Sequence, residues 1–192
     1  MSDEIKQVSL AASTSNPAAL GLAGFALTTF VLSMINAGLW SGNGLSVVAA
    51  LAFFYGGLAQ LLAGQQEYKT GNTFGATAFS TYGAFWLSVA FFVFMNLLGL
   101  FKGVSPGLGY LLIGFTVFNT YMMIASFKTN TATMLVFVFL EIAFLLLDFG
   151  AFGSATANIL GGYFGIITAL LAWYASAAIV INSTFKKTVL PL

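Results

Sequence analysis

Three residue types that carry much of protein chemistry are missing: the chain contains no cysteine, no histidine and no arginine. Without cysteine there is no thiol nucleophile and no disulfide, and without histidine there is no imidazole base. With both absent, the common nitrogen and sulfur metal sites cannot be built, so neither a metal nor a cofactor is expected. Charge of either sign is also scarce. Six lysines face five acidic residues, and charged residues make up only 6% of the 192 positions. A soluble domain of this length would carry about a quarter. The net charge of +1 offers no footing for nucleic acid. Water cannot solvate a surface so poor in charge, and lipid is the implied solvent.

What is present is apolar. Hydrophobic residues form 59% of the chain and the mean hydropathy is +0.97. A membrane-spanning helix needs about 20 mostly apolar residues. Six such runs are read, from Ala18 to Trp40, Leu45 to Gly64, Thr73 to Leu98, Gly107 to Phe127, Thr131 to Phe149 and Ala157 to Asn182. The links between them are short, with turn signals at Ser41-Gly42-Asn43-Gly44 and Ser105-Pro106-Gly107. The expected fold is an all-α integral membrane protein of six helices, arranged as three helical hairpins around a pore. Residues 1–15 would form a polar tail, 16–185 the membrane domain and 186–192 a second tail. Met1 to Ser15 has no apolar core of a cleavable signal, so the first helix would direct insertion.

Lysine placement orients the chain. With six helices, Lys6, Lys69, Lys128, Lys186 and Lys187 fall on one side and only Lys102 on the other. The positive-inside rule then puts both termini in the cytoplasm. A weak repeat agrees: Tyr68-Lys69-Thr70, Phe127-Lys128-Thr129 and Phe185-Lys186-Lys187 follow the even helices, and Asn16, Asn72 and Asn130 precede the odd ones. Three similar interfacial anchors would give the same pattern.

Polar groups inside a spanning helix are costly unless paired or hydrated. Thr29, Ser33 and Asn36 share one face of the first helix, with Thr28 beside them. The second helix carries Gln60, the third Tyr82 and Trp86 one turn apart, and the fourth Asn119. Such hydroxyls and amides suit either a narrow pore, where they replace part of an anion's hydration shell, or hydrogen bonds between packed helices. Small residues four apart, such as Ala52 with Gly56 and Ala59 with Ala63, suit close packing. Glu141 and Asp148 lie seven apart in the fifth helix. An ionised Glu141 would repel a carboxylate, whereas a protonated one could donate a hydrogen bond to it. Glu141 is therefore a candidate for proton coupling, with a structural hydrogen bond as the other reading.

The first helix opens Asn16-Pro17-Ala18-Ala19-Leu20-Gly21-Leu22. Pro17 suits a first helical position and Asn16 a cap. This run resembles the N-P-A-P-L-G-L signature of the acetate uptake transporter family, which includes the bacterial succinate–acetate permeases; Ala19 stands where the family has proline. The resemblance continues through Phe54-Tyr55-Gly56-Gly57, Glu67-Tyr68-Lys69, Gly71-Asn72-Thr73-Phe74-Gly75, Tyr82-Gly83, Phe85-Trp86-Leu87 and Thr188-Val189-Leu190-Pro191. It implies a homohexamer in a cell (inner or plasma) membrane, with a pathway for acetate, and for succinate or other short carboxylates, through each subunit. It also implies a constriction built by Phe25, Tyr82 and Leu140. The expected function is channel-like or proton-coupled carboxylate transport, with Thr28, Asn36, Gln60, Trp86 and Asn119 as candidate substrate contacts. A small-amide, urea or ammonia channel and a non-transporting membrane scaffold are the alternatives. A membrane enzyme is not expected, because few groups that could move protons are available.

Overall fold

A computed structural model describes residues 15–41, 44–100 and 105–192. Six helices fill them: α1 (Ala18–Asn36), α2 (Gly44–Thr70), α3 (Thr73–Leu97), α4 (Ser105–Ser126), α5 (Thr131–Ala151) and α6 (Ala155–Phe185). All six are long and apolar enough to cross a membrane, and the chain is a multi-pass membrane protein. The reason is the solvent. In lipid every backbone polar group must be satisfied within the chain, and a helix does this locally. Residues 1–14 of the expected 1–15 tail, Gly42 and Asn43 of the expected turn, and Lys102 lie outside the described residues.

Helix ends follow local chemistry rather than hydropathy. Asn72 accepts from the Gly75 amide at 3.1 Å, Asn130 from Thr133 at 2.8 Å, and Ser154 from Ala157 at 3.3 Å, so each caps the start of a helix. Asn16 accepts from Ala18 at 3.0 Å, and Pro17 begins the first turn of α1. α1 stops at Asn36 rather than Trp40, because Gly38 turns left-handed (φ 73°). α2 runs past Gly64 to Thr70, since the polar run Gln65-Gln66-Glu67 leaves the lipid without breaking the helix. Gly71 (φ 75°) ends it. α6 has 31 residues, about 46 Å of helix, and so outreaches the hydrocarbon layer at its ends.

α1 packs along α6 and α2, α2 along α3, and α5 along α6 and α4. The backbones of α3 and α4 come close at few positions, and large side chains span the gap: Phe85 meets Phe115 at 4.6 Å and Tyr82 meets Phe118 at 5.2 Å. Small residues let the other seams close. Ala169, Ala172, Ala175 and Ala178 on α6 and Ala26 on α1 are wholly buried. Two hydrogen bonds fasten α1 to α6: Ser176 donates to the Ala19 carbonyl at 2.7 Å, and Asn158 to the Asn36 carbonyl at 3.0 Å. The outer surface is rich in exposed Phe, Leu, Ile and Val, as a lipid-facing surface should be.

One turn of α2 departs from the α geometry. Phe54–Ala59 winds as a π-helix. Gly56 lies against the Thr28 side chain and Gly24 against the Tyr55 carbonyl, so the widened turn is accommodated where α1 has no bulk. Gln60 follows immediately.

Candidate functional site

Among the described residues, two cavities that share a wall lie inside the helix bundle. The larger, about 250 Å³, opens among the starts of the odd-numbered helices. Asn16, Asn72 and Asn130 all border it, which places the N-termini of α1, α3 and α5 at one end of the molecule. Helix N-termini carry partial positive charge and suit an anion. Thr129, Thr133 and Gln60 add polar groups to its wall. Gln60 is almost wholly buried and its Oε1 has no hydrogen-bond partner. An amide can present either its NH₂ or its oxygen, so Gln60 can meet a carboxylate or a carboxylic acid.

The second cavity, about 50 Å³, lies toward the other ends of these helices. Thr29, Ser33, Asn36 and Trp86 line it among apolar neighbours. The Thr29 hydroxyl and the Trp86 indole N–H are buried without partners. Indole nitrogen only donates, so this cavity favours a guest that accepts.

Three residues border both cavities: Phe25 from α1, Tyr82 from α3 and Leu140 from α5. They form the septum between the two spaces. All three are buried. The rings of Phe25 and Tyr82 lie 5.8 Å apart, and Phe118, Phe137 and Phe144 surround Tyr82 at 5.2, 6.4 and 6.5 Å. Aromatic packing on this scale leaves the tyrosine ring little freedom.

Behind the septum lies a buried polar network joining α3, α4 and α5. The Tyr82 hydroxyl donates to Asn119 Oδ1 at 2.6 Å. Asn119 Nδ2 donates to Glu141 Oε2 at 2.7 Å and to the Phe137 carbonyl at 3.2 Å. Thr120 donates to Glu141 Oε1 at 2.7 Å, and Thr116 to Asp148 Oδ2 at 2.7 Å. Each threonine hydroxyl also lies within reach of the carbonyl one turn back, Thr116 O at 2.9 Å and Leu112 O at 3.1 Å. A hydroxyl has one proton but two lone pairs. Each threonine can therefore donate to an ionised carboxylate. Alternatively it can accept from a protonated one while donating to its backbone carbonyl. For Glu141, whose two oxygens both have partners, either protonation state is satisfied without moving a side chain, whereas Asp148 Oδ1 is buried without a partner.

The structure gathers most of the sequence candidates but sorts them into different places. Phe25, Tyr82 and Leu140 meet at the septum; Gln60 borders the larger cavity and Asn36 and Trp86 the smaller. Asn119 and Glu141 border neither and sit in the network behind Tyr82. Thr28 also borders neither. Its hydroxyl donates to the Gly24 carbonyl at 2.9 Å, where it packs α1 against the π turn of α2. Its neighbour Thr29 faces the cavity instead, one step of 100° around the helix. Within the opening motif, Asn16 and Leu22 border the larger cavity, Gly21 lies against Phe79, and Leu20 faces outward. Glu67 is buried, which its loop-like sequence context hides. Asn72 Nδ2 donates to its Oε2 at 2.9 Å and Thr70 at 3.2 Å.

Residues 4–192 match the sequence model of the GPR1/FUN34/yaaH family. The chain belongs to this family. Acetate permease A of Emericella nidulans is 40% identical, over 93% of this chain and 65% of its own length. This chain thus spans just under two thirds of that fungal relative. The succinate-acetate/proton symporter SatP of Escherichia coli is 39% identical, over 93% of this chain and 95% of its own. A solved structure of the bacterial acetate channel SatP aligns with a TM-score of 0.88 at 39% identity, covering 94% of this chain and 99% of that one. Family members therefore include proteins named for transport and for channel activity.

Proposed function

We propose that this family member carries acetate and similar short carboxylates, succinate among them, across a membrane. The observation that carries the reading is the pair of cavities divided by Phe25, Tyr82 and Leu140. Helix N-termini and Gln60 gather the substrate on one side. The unpartnered donors of Thr29 and Trp86, with Asn36, receive it on the other. The septum is the narrow step, where passage requires loss of water. The names of the related permease, symporter and channel support acetate as substrate.

The larger cavity faces the cytoplasm in this reading. Lys69 and Lys128 flank the turns that lead into α3 and α5, and Lys186 and Lys187 follow α6. The positive-inside rule supports cytoplasmic termini and insertion in a cell membrane. Residues 16–185 act as one membrane domain between two short tails. A homohexamer, each subunit with its own pathway, follows from the family resemblance alone. Glu141 couples a proton to transport from behind the septum, reaching Tyr82 through Asn119, and its two-way threonine partner suits that role.

Uptake of labelled acetate into proteoliposomes tests the reading, with and without an imposed proton gradient, for wild type and Glu141→Gln. Accumulation that needs the gradient and is lost in the variant supports proton coupling through Glu141. Equilibration indifferent to the gradient supports a channel in which Glu141 is structural. Absence of protein-dependent acetate uptake, with urea or ammonium passing instead, refutes the carboxylate assignment.

A further inference from the structure

After α6 the chain turns back along the helix it has just left, and it arrives beside the larger cavity. The inference rests on that cavity being the substrate's entrance, as read above. The reversal is made at Lys186, whose φ of 54° is the only positive value at a non-glycine among the described residues. A side chain disfavours that conformation, so the return must be held. Two side chains of α6 hold it. Asn182 accepts from the Val189 and Leu190 amides at 2.7 and 3.0 Å and donates to the Leu190 carbonyl at 2.8 Å. Tyr174, about 12 Å further back along α6, donates to the Pro191 carbonyl at 2.6 Å.

Little burial adds to these bonds. Every residue from 186 to 192 except Leu190 is exposed, and a segment held by exposed hydrogen bonds opens locally at low cost. Leu192 nevertheless reaches the interior. It borders the larger cavity together with Asn16, Asn130 and Ile179. With Pro191 it also borders a surface groove of about 340 Å³, walled by Thr131, Leu135, Leu171 and Tyr174. Among the described residues Leu192 alone lines both spaces. Lifting it joins them and opens the cavity beside the N-terminus of α5, where Asn130 caps the helix. We propose that residues 186–192 form a strap, hinged at Lys186, whose Leu192 closes one side of the cavity mouth and so limits the size of the carboxylate that enters. The limit acts before the septum and is separate from it, since neither Leu192 nor its two fastening residues touch Phe25, Tyr82 or Leu140 across the smaller cavity.

The absence of cysteine makes the test direct. Thr133→Cys places a thiol on the cavity wall, about one turn into α5 from Asn130. Its rate of modification is followed in the whole chain in detergent, with a small methanethiosulfonate and with a bulky maleimide. With the strap fastened the small reagent should react and the bulky one should lag. Adding Asn182→Ala, which removes three hydrogen bonds, should speed the bulky reagent about tenfold and the small one little. Tyr174→Phe removes one bond and should speed the bulky reagent several-fold; it decides the matter where Asn182→Ala does not fold. Leu192→Ala should speed the bulky reagent without speeding tryptic cleavage at Lys186 and Lys187, because the strap stays fastened. Benzoate should protect the thiol from the small reagent only when the strap is freed, whereas acetate should protect it in either state. A strap that merely braces α6 would change both reagents alike or neither. Three results overturn the proposal: an unchanged bulky rate once the fastening bonds are removed, small and bulky rates that rise by the same factor, or benzoate protection that is the same with the strap fastened and freed. If acetate gives no protection while the strap still governs the bulky reagent, the carboxylate reading fails and the strap stands.

Discussion

At Gly162 the backbones of α6 and α1 meet with no side chain between them. A Cβ placed there would overlap the Ala37 amide nitrogen and stand 2.8 Å from Ala37 Cα and from the Asn36 carbonyl carbon. All three are backbone atoms, so no rotamer change can relieve the contact, and the end of α1 must move. Overpacking of this kind costs about 1–3 kcal/mol, and with backbone on both sides the upper end applies. Alanine in place of glycine within a helix returns about 1 kcal/mol. The net is a loss of about 2 kcal/mol, or about 4–8 °C in Tm for a chain of this size. Gly114 on α4 is the control. It is exposed, with nothing within 4 Å of the same atom, so Gly114→Ala should gain about 2–4 °C. Thermal unfolding of the purified variants in detergent reads both. A Gly162→Ala protein that unfolds at or above the wild-type temperature would refute the close approach of α1 and α6.

Three further outcomes follow from the cavities and the C-terminal segment. Gln60→Leu should lower acetate uptake roughly tenfold, the effect of one hydrogen bond to a charged group. Its Tm should hold or rise, since Oε1 has no partner to lose; a fall in Tm with unchanged uptake would show the amide to be structural. Trp86→Phe keeps a ring but deletes the unpartnered N–H, and should raise KM for acetate several-fold while shifting Tm by less than about 2 °C. Asn182 accepts from the Val189 and Leu190 amides at 2.7 and 3.0 Å and donates to the Leu190 carbonyl at 2.8 Å. Asn182→Ala should free residues 186–192 and speed tryptic cleavage at Lys186 and Lys187 roughly tenfold; equal cleavage rates would mean the segment is held elsewhere, for instance by the Tyr174 hydroxyl on the Pro191 carbonyl at 2.6 Å.

The number of helices and the asparagines that cap α3 and α5 were legible because both signals are local, whereas the Ser154 cap of α6 was missed. An apolar run of membrane length and an asparagine before it need no knowledge of the rest of the chain. Where α2 ends was not legible from hydropathy, which reports where lipid stops and not where helical hydrogen bonding stops. Gly71, seven residues past Gly64, was the better mark. The site divided in the same way. Thr29, Ser33 and Asn36 share a face by period alone, and they do line one cavity. Thr28 carries the same chemistry one residue away and packs against another helix instead, a distinction set by the partner surface. The bonds from Tyr82 to Asn119 and from Asn119 to Glu141 join residues 37 and 22 positions apart on different helices. Each residue stood out as polar in lipid; that they satisfy one another could be learned only from the packing of α3, α4 and α5. The wide spacing of the α3 and α4 backbones, bridged by Tyr82 and Phe85, was hidden for the same reason.

The π turn of α2 can also be read as a matter of register. A π turn holds one residue more than the α turn it replaces. Every residue after Phe54–Ala59 is therefore turned about 100° from where an unbroken α-helix would aim it. Removing a single residue from that stretch would restore the ordinary ladder and leave the composition of α2 almost untouched. It would leave Gln60 on the cavity wall and Ala63 and Gly64 on their buried faces, because the wide turn is what absorbs the extra residue. The aim of half a helix thus hangs on the width of one turn: a substitution that wound Phe54–Ala59 as ordinary α-helix with every residue kept would turn Gln60 away by about 100°, so such a change should be worse tolerated than a single deletion within the same stretch.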